Sequence, residues 1–362
     1  MSEKLCVSII IPIYNAAPYI QRCIDVLSKQ DFVKPFEIII VDDASTDNCL
    51  NILKKNQFPN LRVYTLSLNS GPAAARNIGL KKSKGEYVFF MDVDDTIEPD
   101  TLTTLYSIAN KNDCDLVIGD KKWIENSKNL RTNIFVYPAD QIFGKSEIME
   151  AMRKRFYDPL PTVSLFDLTG RLIRRSIIRD NNILFDEKLR YMEDNIFSWN
   201  ILAFAQSVRY VRKQLYSRYV YPNINTALSE GLNRGFPISH FELYKSHLQN
   251  SLKHCGFSAQ ETEKIGNRAY IYFIISALVS YSTSMLSGKV DLKKAVKCRR
   301  KLIDDILENS NVSDAIQNYS CSPDESPYII KAIAKRSHEH LELACDERAK
   351  DIIQIRKKDK LN

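Results

Sequence analysis

The sequence lacks several patterns that mark other classes of protein. Its eight cysteines are scattered and include no Cys-x-x-Cys pair. We therefore expect no disulfides and no zinc site, as is typical of proteins in the reducing cytosol. No Gly-x-Gly-x-x-Gly follows a predicted strand, which argues against a dinucleotide-dependent oxidoreductase. We find no internal repeat, low-complexity tract or signal peptide, and we therefore expect a cytoplasmic protein of two or three domains.

The charge of the chain is only mildly basic. It carries 51 Lys and Arg against 44 Asp and Glu, and residues 231 to 362 hold 21 and 16 of these. The net charge of +7 is well short of a nucleic-acid-binding composition, so no nucleic-acid partner is expected. A ligand that bears phosphate, or an anionic membrane surface, fits this balance.

Strands alternate with helices over roughly the first 118 residues. We predict four strands and, between the second and third, a helix near residues 48 to 56 that Ser45 or Thr46 caps. The predicted strands are Leu5–Tyr14, Glu37–Val41, Leu61–Leu66 and Glu86–Met91. This alternation predicts a Rossmann-like α/β fold, with a mostly parallel sheet and helices on both faces.

Two acidic clusters follow predicted strands. Asp42 and Asp43 end the second strand, and Asp92, Asp94 and Asp95 follow the fourth. Ligands of parallel sheets bind beyond the carboxyl ends of the strands, so both clusters should face one crevice. Close carboxylates repel one another, and hard oxygen ligands suit Mg²⁺ or Mn²⁺. The residues alone leave a solvated Asp-rich turn as an equal alternative.

A third acidic pair, Glu193 and Asp194, begins a predicted amphipathic helix. Its apolar positions include Ile196, Phe197 and Leu202. The helix macrodipole favours ionised carboxylates in a first turn. Taken alone, the pair is better explained as ordinary first-turn residues than as a functional site.

Beyond residue 230 the pattern becomes helical. The predicted helices span residues 241 to 254, 259 to 287, 291 to 309, 326 to 337 and 339 to 357. Residues 269 to 287 contain no charge over the length of a membrane span, but their Ser, Thr and Tyr content favours the core helix of a small bundle. The basic segments 293–301 and 356–360 are better explained as solvated helix faces than as contacts for anionic lipid, and the second reading stays open.

Five segments in this order resemble the family 2 inverting glycosyltransferases of GT-A fold, which bacteria use to build surface polysaccharides. The resemblance covers residues 5 to 225. The sequence lacks the Gln-x-x-Arg-Trp motif and the several membrane spans of the family's processive synthases, which argues against a processive polymerase. The segments are Val7-Ser-Ile-Ile-Ile-Pro-Ile-Tyr-Asn, Val41-Asp-Asp-Ala-Ser-Thr-Asp, Gly71-Pro-Ala-Ala-Ala-Arg-Asn-Ile-Gly, Met91-Asp-Val-Asp-Asp and Met192-Glu-Asp-Asn-Ile-Phe.

The resemblance implies donor-binding roles for residues near the first two strands. Pro12 and Tyr14 would line the nucleobase pocket. Asp43 would accept a hydrogen bond from uracil N3–H, with Asp42 beside it. Arg76 would lie over the base or the diphosphate.

The resemblance also implies the reacting groups. Asp92 and Asp94 would form an Asp-x-Asp that contacts the ribose and a divalent metal, with Asp95 beside them. Asp194 matches the family's general base, and Glu193 precedes it. Candidates for a cation on the diphosphate are Arg171 and Arg218.

We therefore predict a metal-dependent, hexosyltransferase-like enzyme that uses Mn²⁺ or Mg²⁺ and a UDP-sugar donor. Its acceptor would be a hydroxyl of a glycan or lipid-linked saccharide in capsule, O-antigen or lipooligosaccharide synthesis, and the enzyme would be cytoplasmic or peripheral on the inner face of the plasma membrane. Residues 1–118 would bind the nucleotide-sugar, residues 119–230 the acceptor, and residues 231–362 would form a helical domain.

Two alternatives to this activity remain open. The first is a non-catalytic sugar-nucleotide-binding or assembly subunit, which could keep the same donor carboxylates. The second is a sugar nucleotidyltransferase, but the Gly-rich loop that it needs after the first strand is replaced by Tyr14-Asn-Ala-Ala-Pro.

Overall fold

The chain folds into two compact units. The computed structural model describes residues 4–56, 58–125, 137–157, 165–189, 191–220, 232–317, 319–321 and 325–359. The first unit comprises Met1–Arg155 with Pro159–Pro222, and the second comprises Phe156–Asp158 with Asn223–Asn362. The boundary that we predicted after residue 230 lies outside the described residues.

The first unit is built on a sheet in which nine strands are described. The strands are β1 Val7–Ile13, β2 Phe36–Asp42, β3 Leu61–Thr65, β4 Tyr87–Phe90, β5 Thr96–Ile97, β6 Leu116–Glu125, β7 Gln141–Phe143, β8 Arg171–Arg174 and β9 Val208–Val220. Their order is β3-β2-β1-β4-β8-β6-β9-β5, and β7 pairs with β9. The four predicted strands pair in parallel, whereas β8 runs antiparallel to both β4 and β6.

The predicted functional division at residue 118 falls within β6. Both halves contribute strands to the same sheet and belong to the first unit. The assignment of the donor to one half and the acceptor to the other stays a prediction.

The helices of the first unit connect these strands. They are α1 Ala17–Ser28, α2 Cys49–Lys55, α3 Pro72–Lys82, α4 Thr101–Lys111, α5 Lys145–Lys154, α6 Arg175–Asp180 and α7 Glu193–Phe204. Proline occupies the start of α1 and of α3, where its fixed φ and missing N–H are tolerated.

The predicted cap of α2 is wrong. Asn48 takes the N-cap position, and no side chain caps the helix there. The Ser45 hydroxyl instead accepts a hydrogen bond from the Asn15 N–H at 2.9 Å, and Asn15 Oδ1 accepts from the Thr46 N–H at 2.8 Å. These side chains tie the loop after β1 to the loop after β2, which holds both loops at one edge of the sheet.

The first strands are buried because almost every residue in them is apolar. Ile9 and Ile10 of β1 have no exposed surface, and β-branched side chains of this kind pack well on a pleated sheet. The register places Ile13 beside Asp42, and the Met91 N–H donates to the Ile10 carbonyl. The carboxyl ends of β1, β2 and β4 therefore meet at one edge.

The second unit is helical in all its described secondary structure, as predicted. Its helices are α8 Ile238–Cys255, α9 Ala259–Leu286, α10 Leu292–Glu308, α11 Ser310–Gln317, α12 Pro327–Ala334 and α13 His338–Asp359. Helix α11 was not predicted. Asn309 ends α10 in an extended conformation, and its Oδ1 accepts from the Val312 N–H at 3.1 Å, so one residue stops a helix and starts the next.

Helix α9 contains the uncharged stretch of the sequence. Among the described residues it alone is long and apolar enough to cross a membrane, and 56% of its most apolar window is buried within the protein. It packs against α8, α10, α11 and α13. Arg268 in this helix is buried and pairs with Glu325 at 3.0 Å, which suits the predicted core helix of a bundle.

Candidate active site

Helix α3 joins the two acidic clusters at the carboxyl edge of the sheet. The N–H groups of Ser70 and Gly71, immediately before α3, each donate a 2.7 Å hydrogen bond to the Asp43 carboxylate. Arg76, in the second turn of the same helix, donates to Asp92 Oδ1 at 3.2 Å. The two clusters therefore lie at one edge, where their placement after parallel strands predicted them.

Asp43 is held rigidly by these two backbone donors. Its oxygens each accept one N–H, and Gly71 supplies the positive φ of 92° that this turn requires. A carboxylate oxygen has a second lone pair, so Asp43 can still accept from an N–H of a ligand. Its neighbour Asp42 is fully buried and accepts from the Ser45 N–H at 3.2 Å, so it serves the loop after β2.

Pro12 and Tyr14 lie at the end of β1 beside Asp43. Pro12 is half-buried and pairs in register with Val41, whereas the Tyr14 side chain is 50% exposed. An exposed aromatic ring on a fixed loop can stack on a nucleobase. The nucleobase roles of Pro12, Tyr14 and Asp43 stay predictions.

Asp95 is turned towards β9. Its Oδ2 accepts from the Tyr216 hydroxyl at 2.7 Å, and its Oδ1 accepts from the Tyr219 N–H at 2.9 Å. The residue is 2% exposed, and burial, followed by the charges of Asp92 and Asp94, raises its pKa. Asp95 therefore shapes the loop that follows β4 and is less suited than its neighbours to bind a ligand.

Asp92 and Asp94 are the partly exposed carboxylates of this loop. Burial, and next the negative charge of Asp92, raises the pKa of Asp94. A divalent cation between them would remove that repulsion, and Mg²⁺ or Mn²⁺ needs only one or two carboxylates when phosphate and water complete its shell. Within the described residues no three His, Cys, Asp or Glu side chains are arranged to hold a metal by themselves.

Arg76 is buried among protein carboxylates. It is 8% exposed, and its guanidinium donates to Glu193 Oε1 at 3.0 Å and to Asp92 Oδ1 at 3.2 Å. The charges of Asp92 and Glu193 outweigh the effect of burial and raise the pKa of Arg76. The resemblance places this side chain over the base or the diphosphate, and that role stays a prediction.

Glu193 and Asp194 point in different directions from the first turn of α7. Met192 precedes them with a left-handed φ of 68°, which starts the helix abruptly. Glu193 is 8% exposed and faces Arg76, and burial followed by the charge of Asp194 raises its pKa. Asp194 is partly exposed, and its Oδ1 accepts from the Asn195 N–H at 2.7 Å. Asp194 is therefore the more accessible carboxylate.

The two candidate arginines for the diphosphate differ in access. Arg171 is fully buried, donates to the Leu165 carbonyl at 2.9 Å, and has a pKa that burial lowers to about 10. Arg218 is exposed, and its guanidinium lies 5.0 Å from the centre of the Trp123 ring. Arg218 is therefore the better placed of the two to reach a ligand.

Sequence reasoning missed Tyr216 and a buried lysine beside it. Lys121 Nζ donates to Asp167 Oδ2 at 3.1 Å and to Thr169 Oγ1 at 3.0 Å, and it lies 5.6 Å from the Tyr216 ring centre. Burial lowers the pKa of Lys121. The parallel pairing of β6 with β9 brings these residues together, and no motif in the sequence signals it.

The sequence is similar to those of known glycosyltransferases. The sequence model of glycosyl transferase family 2 matches residues 8–181. The poly(ribitol-phosphate) beta-N-acetylglucosaminyltransferase TarS of Staphylococcus aureus is 32% identical over 212 residues, which are 58% of this chain but 34% of TarS. The glycosyltransferase GlyG of Streptococcus pneumoniae is 31% identical over 60% of this chain and 70% of GlyG. The chain thus spans about a third of the length of TarS.

A further match is structural. A crystal structure of residues 1–349 of S. aureus TarS with UDP superposes with a TM-score of 0.64 at 22% identity, over 96% of this chain and 92% of that one. A second structure of the same fragment contains UDP-GlcNAc and also has a TM-score of 0.64. At this identity the likeness concerns the fold, and it confirms the predicted GT-A fold followed by a helical C-terminal region.

Proposed function

The chain belongs to glycosyl transferase family 2, and from this membership we propose that it is an inverting glycosyltransferase that moves a sugar from UDP to a hydroxyl of a bacterial surface polymer. The observation that carries the proposal is the linkage of a partly exposed carboxylate to the Asp-x-Asp loop. Arg76 joins Asp92 to Glu193, and Glu193 adjoins Asp194 in the first turn of α7. A base candidate and a donor-binding loop are thus held in one network.

The donor would bind along the carboxyl edge of the first strands. Asp43 would accept from the N3–H of uracil, and the exposed ring of Tyr14 would stack on the base. Asp92 would contact the ribose through the oxygen that Arg76 does not engage. The UDP and UDP-GlcNAc in the TarS structures support a UDP-sugar as the donor.

A divalent cation, Mn²⁺ or Mg²⁺, would be held by Asp94 and Asp92 together with the donor diphosphate. Bound there, it would offset the negative charge that develops on the departing UDP. Burial and the charge of Asp92 raise the pKa of the Asp94 carboxyl, and a cation beside it would oppose both effects. Asp95, held by Tyr216 and Tyr219, would support the loop without binding the cation.

Asp194 would act as the general base. An acceptor hydroxyl is a weak nucleophile at neutral pH, so a carboxylate within hydrogen-bond reach must take its proton as the new bond forms. Asp194 lies in the first turn of α7 and is partly exposed, so an acceptor could reach its carboxylate. One displacement, with attack opposite the leaving diphosphate, inverts the anomeric centre.

The acceptor would be a hydroxyl of a glycan, a lipid-linked saccharide or a polyol-phosphate polymer. The last class is supported by the names of the relatives, which include poly(ribitol-phosphate) transferases of Staphylococcus aureus and Bacillus spizizenii. The exposed Arg218 on its Trp123 platform could contact phosphate in such a polymer. The enzyme would act in the cytoplasm, with exposed lysines of α10 meeting an anionic membrane surface.

The test of this function is turnover of a donor panel. UDP-sugars are incubated with the protein and Mn²⁺ or Mg²⁺, first without acceptor to detect hydrolysis, then with polyol-phosphate and saccharide acceptors. We expect hydrolysis of one donor, faster transfer with one acceptor class, and inversion at the anomeric carbon. Tight UDP binding without turnover of any donor would instead support the non-catalytic subunit.

A further inference from the structure

The Arg76 guanidinium bridges two carboxylates that are far apart in the sequence. It donates to Asp92 Oδ1 at 3.2 Å and to Glu193 Oε1 at 3.0 Å, and the side chains of Arg76 and Glu193 are 9% and 10% exposed. We propose that Arg76 and Glu193 are positioning residues that aim Asp194 at the acceptor and tie it to the Asp-x-Asp loop. This inference rests on the proposed function of Asp194 as the base.

The charges explain why Glu193 depends on Arg76. A buried carboxylate that loses its cation is left uncompensated, which costs far more than an exposed pair contributes. Burial and the charge of Asp194 raise the pKa of Glu193, and Arg76 opposes this rise. Arg76 therefore offsets part of the effect that burial and Asp194 have on the Glu193 carboxyl.

Helix α3 provides a fixed frame for the bridge. Its N-terminal end is anchored to Asp43 by the N–H groups of Ser70 and Gly71. In its second turn, Asn77 exchanges two 2.9 Å hydrogen bonds with the backbone of Phe185. Arg76 thus extends from a helix that is immobilised at its start and on its flank.

The same helix reaches α7 by a second, apolar route. The Phe185 ring stacks on Phe197 of α7 with centroids 4.0 Å apart and planes 1° from parallel, and the Arg76 guanidinium lies 5.6 Å from the Phe185 ring centre. The ion pair and the ring stack together set the position and rotation of the first turns of α7.

Asp194 itself is held mainly through its neighbours. On one side Glu193 is fixed by Arg76, and on the other Asn195 Nδ2 donates to the Phe166 carbonyl at 3.2 Å. Its own carboxylate accepts only the Asn195 N–H among the hydrogen bonds of the described residues. Because an error of about 1 Å in a reacting group can cost about 10²-fold in rate, loosening Glu193 should impair catalysis without removing a donor contact.

The experiment separates positioning from donor binding. Arg76→Lys keeps the positive charge but loses the two-pronged donor, and Glu193→Gln keeps the shape but loses the charge. For each single variant and for the double variant we would measure UDP affinity by calorimetry, and kcat and KM for the donor. The matched control is Arg62→Lys, which alters another arginine–glutamate pair of the first unit, 2.7 Å from Glu37.

We expect each single variant to keep its UDP Kd and donor KM within about threefold while kcat falls at least tenfold. The double variant should be no more than about twofold slower than the slower single variant, because the pair acts as a unit. Arg62→Lys should leave kcat unchanged. Thermal melting checks the fold, and Glu193→Gln carries the test alone if Arg76→Lys does not fold.

Two results would overturn the inference. If Arg76→Lys weakens UDP binding tenfold at unchanged kcat, the arginine contacts the nucleotide; if Glu193→Gln turns over at the wild-type rate, the bridge does not position the base. Both results require a wild-type protein that transfers sugar. Absence of wild-type turnover with every donor overturns the proposed function itself and this inference with it, so the two failures are distinguishable.

Discussion

The Tyr216 hydroxyl donates a 2.7 Å hydrogen bond to Asp95 Oδ2 and accepts one from the Asp92 N–H at 3.2 Å. A single buried phenol of β9 therefore fixes both ends of the loop that carries Asp94. The three aspartates of the loop are thus not equivalent. Both carboxylate oxygens of Asp95 accept hydrogen bonds from β9, so Asp92 and Asp94 are the candidates for binding a ligand.

Replacing Tyr216 with Phe should loosen this loop. The buried Asp95 oxygen loses its donor, which costs about 1–3 kcal/mol of unfolding free energy, and we expect the Mn²⁺-dependent affinity for UDP to fall at least threefold. Urea unfolding and calorimetry measure the two effects. Tyr210→Phe is the matched control, since this buried tyrosine of β9 bonds to Asp120. An equal loss of UDP affinity in both variants would contradict the role of Tyr216.

Metal should strengthen donor binding through Asp94. We predict that UDP binds at least tenfold more tightly with Mn²⁺ than in excess chelator, a difference of about 1.4 kcal/mol. Asp94→Ala should abolish this difference without unfolding the protein, whereas Asp25→Ala, an exposed change on α1, should preserve it. Calorimetry that gives the wild-type protein the same affinity for UDP with Mn²⁺ and with chelator would contradict the metal site.

Removing the carboxylate of Asp194 should stop transfer but spare binding. We predict that Asp194→Asn lowers the transfer rate by about 10² or more, the cost of losing a general base, with UDP affinity within about threefold of wild type. Rates are measured with the donor and the acceptor class that the turnover test identifies. Asp180→Asn, at an exposed residue of α6, is the control and should transfer normally. A near wild-type rate for Asp194→Asn would place the base elsewhere.

Glu193 should make stability depend on pH. Burial and the charge of Asp194 raise its pKa from 4.5 to about 7, so between these values the folded protein binds more protons than the unfolded chain. Its contribution to stability is present below about pH 4.5 and is lost as pH rises through about 7. We therefore expect the stability of Glu193→Gln to rise relative to that of wild type as pH increases from 5 to 8.

The measurement for Glu193 is the urea-unfolding midpoint at several pH values in metal-free buffer. Glu263→Gln, at an exposed residue of α9, is the control and should follow the wild-type pH profile. The charged groups that act on Glu193 are Arg76, which bonds to it, and the neighbouring Asp194. A constant offset between Glu193→Gln and wild type across the pH range would contradict a raised pKa.

Helix α10 should bind anionic membranes weakly. Lys293 and Lys294 are exposed, whereas Arg299 in the same basic segment is buried and pairs with Asp346 at 2.6 Å, so only part of the segment is available. The side chains of the second basic segment, residues 356–360, lie outside the described residues. Binding to vesicles with anionic lipid should fall as salt rises, because exposed charges are screened over about 8 Å at physiological ionic strength.

The variant for this surface is Lys293→Glu with Lys294→Glu, which should abolish sedimentation with anionic vesicles. The same change at Lys54 and Lys55 of α2, two exposed lysines of the first unit, is the matched control. Binding that resists high salt and carbonate would instead favour insertion of α9, the helix long enough to span a bilayer.

The sequence by itself determined the architecture and the family. Short and almost entirely apolar runs indicate strands buried on both faces, and their alternation with helices predicts parallel strands whose carboxyl ends share an edge. The acids that follow β2 and β4 were therefore assigned to one site from local pattern alone. Motif order then identified the family, since the five segments carry the chemistry and lie mostly on these strand ends.

Only the tertiary structure decided how the site residues divide their work. Asp95 accepts a hydrogen bond from Tyr216, which lies 121 residues later in the sequence. Arg76 donates to Glu193, which lies 117 residues later. Hydrophobic periodicity reports which face of an element is buried, but it carries no information on which distant polar group arrives there. That choice depends on strand order, above all on the antiparallel β8 and the pairing of β6 with β9, which bring the second half of the first unit against the first.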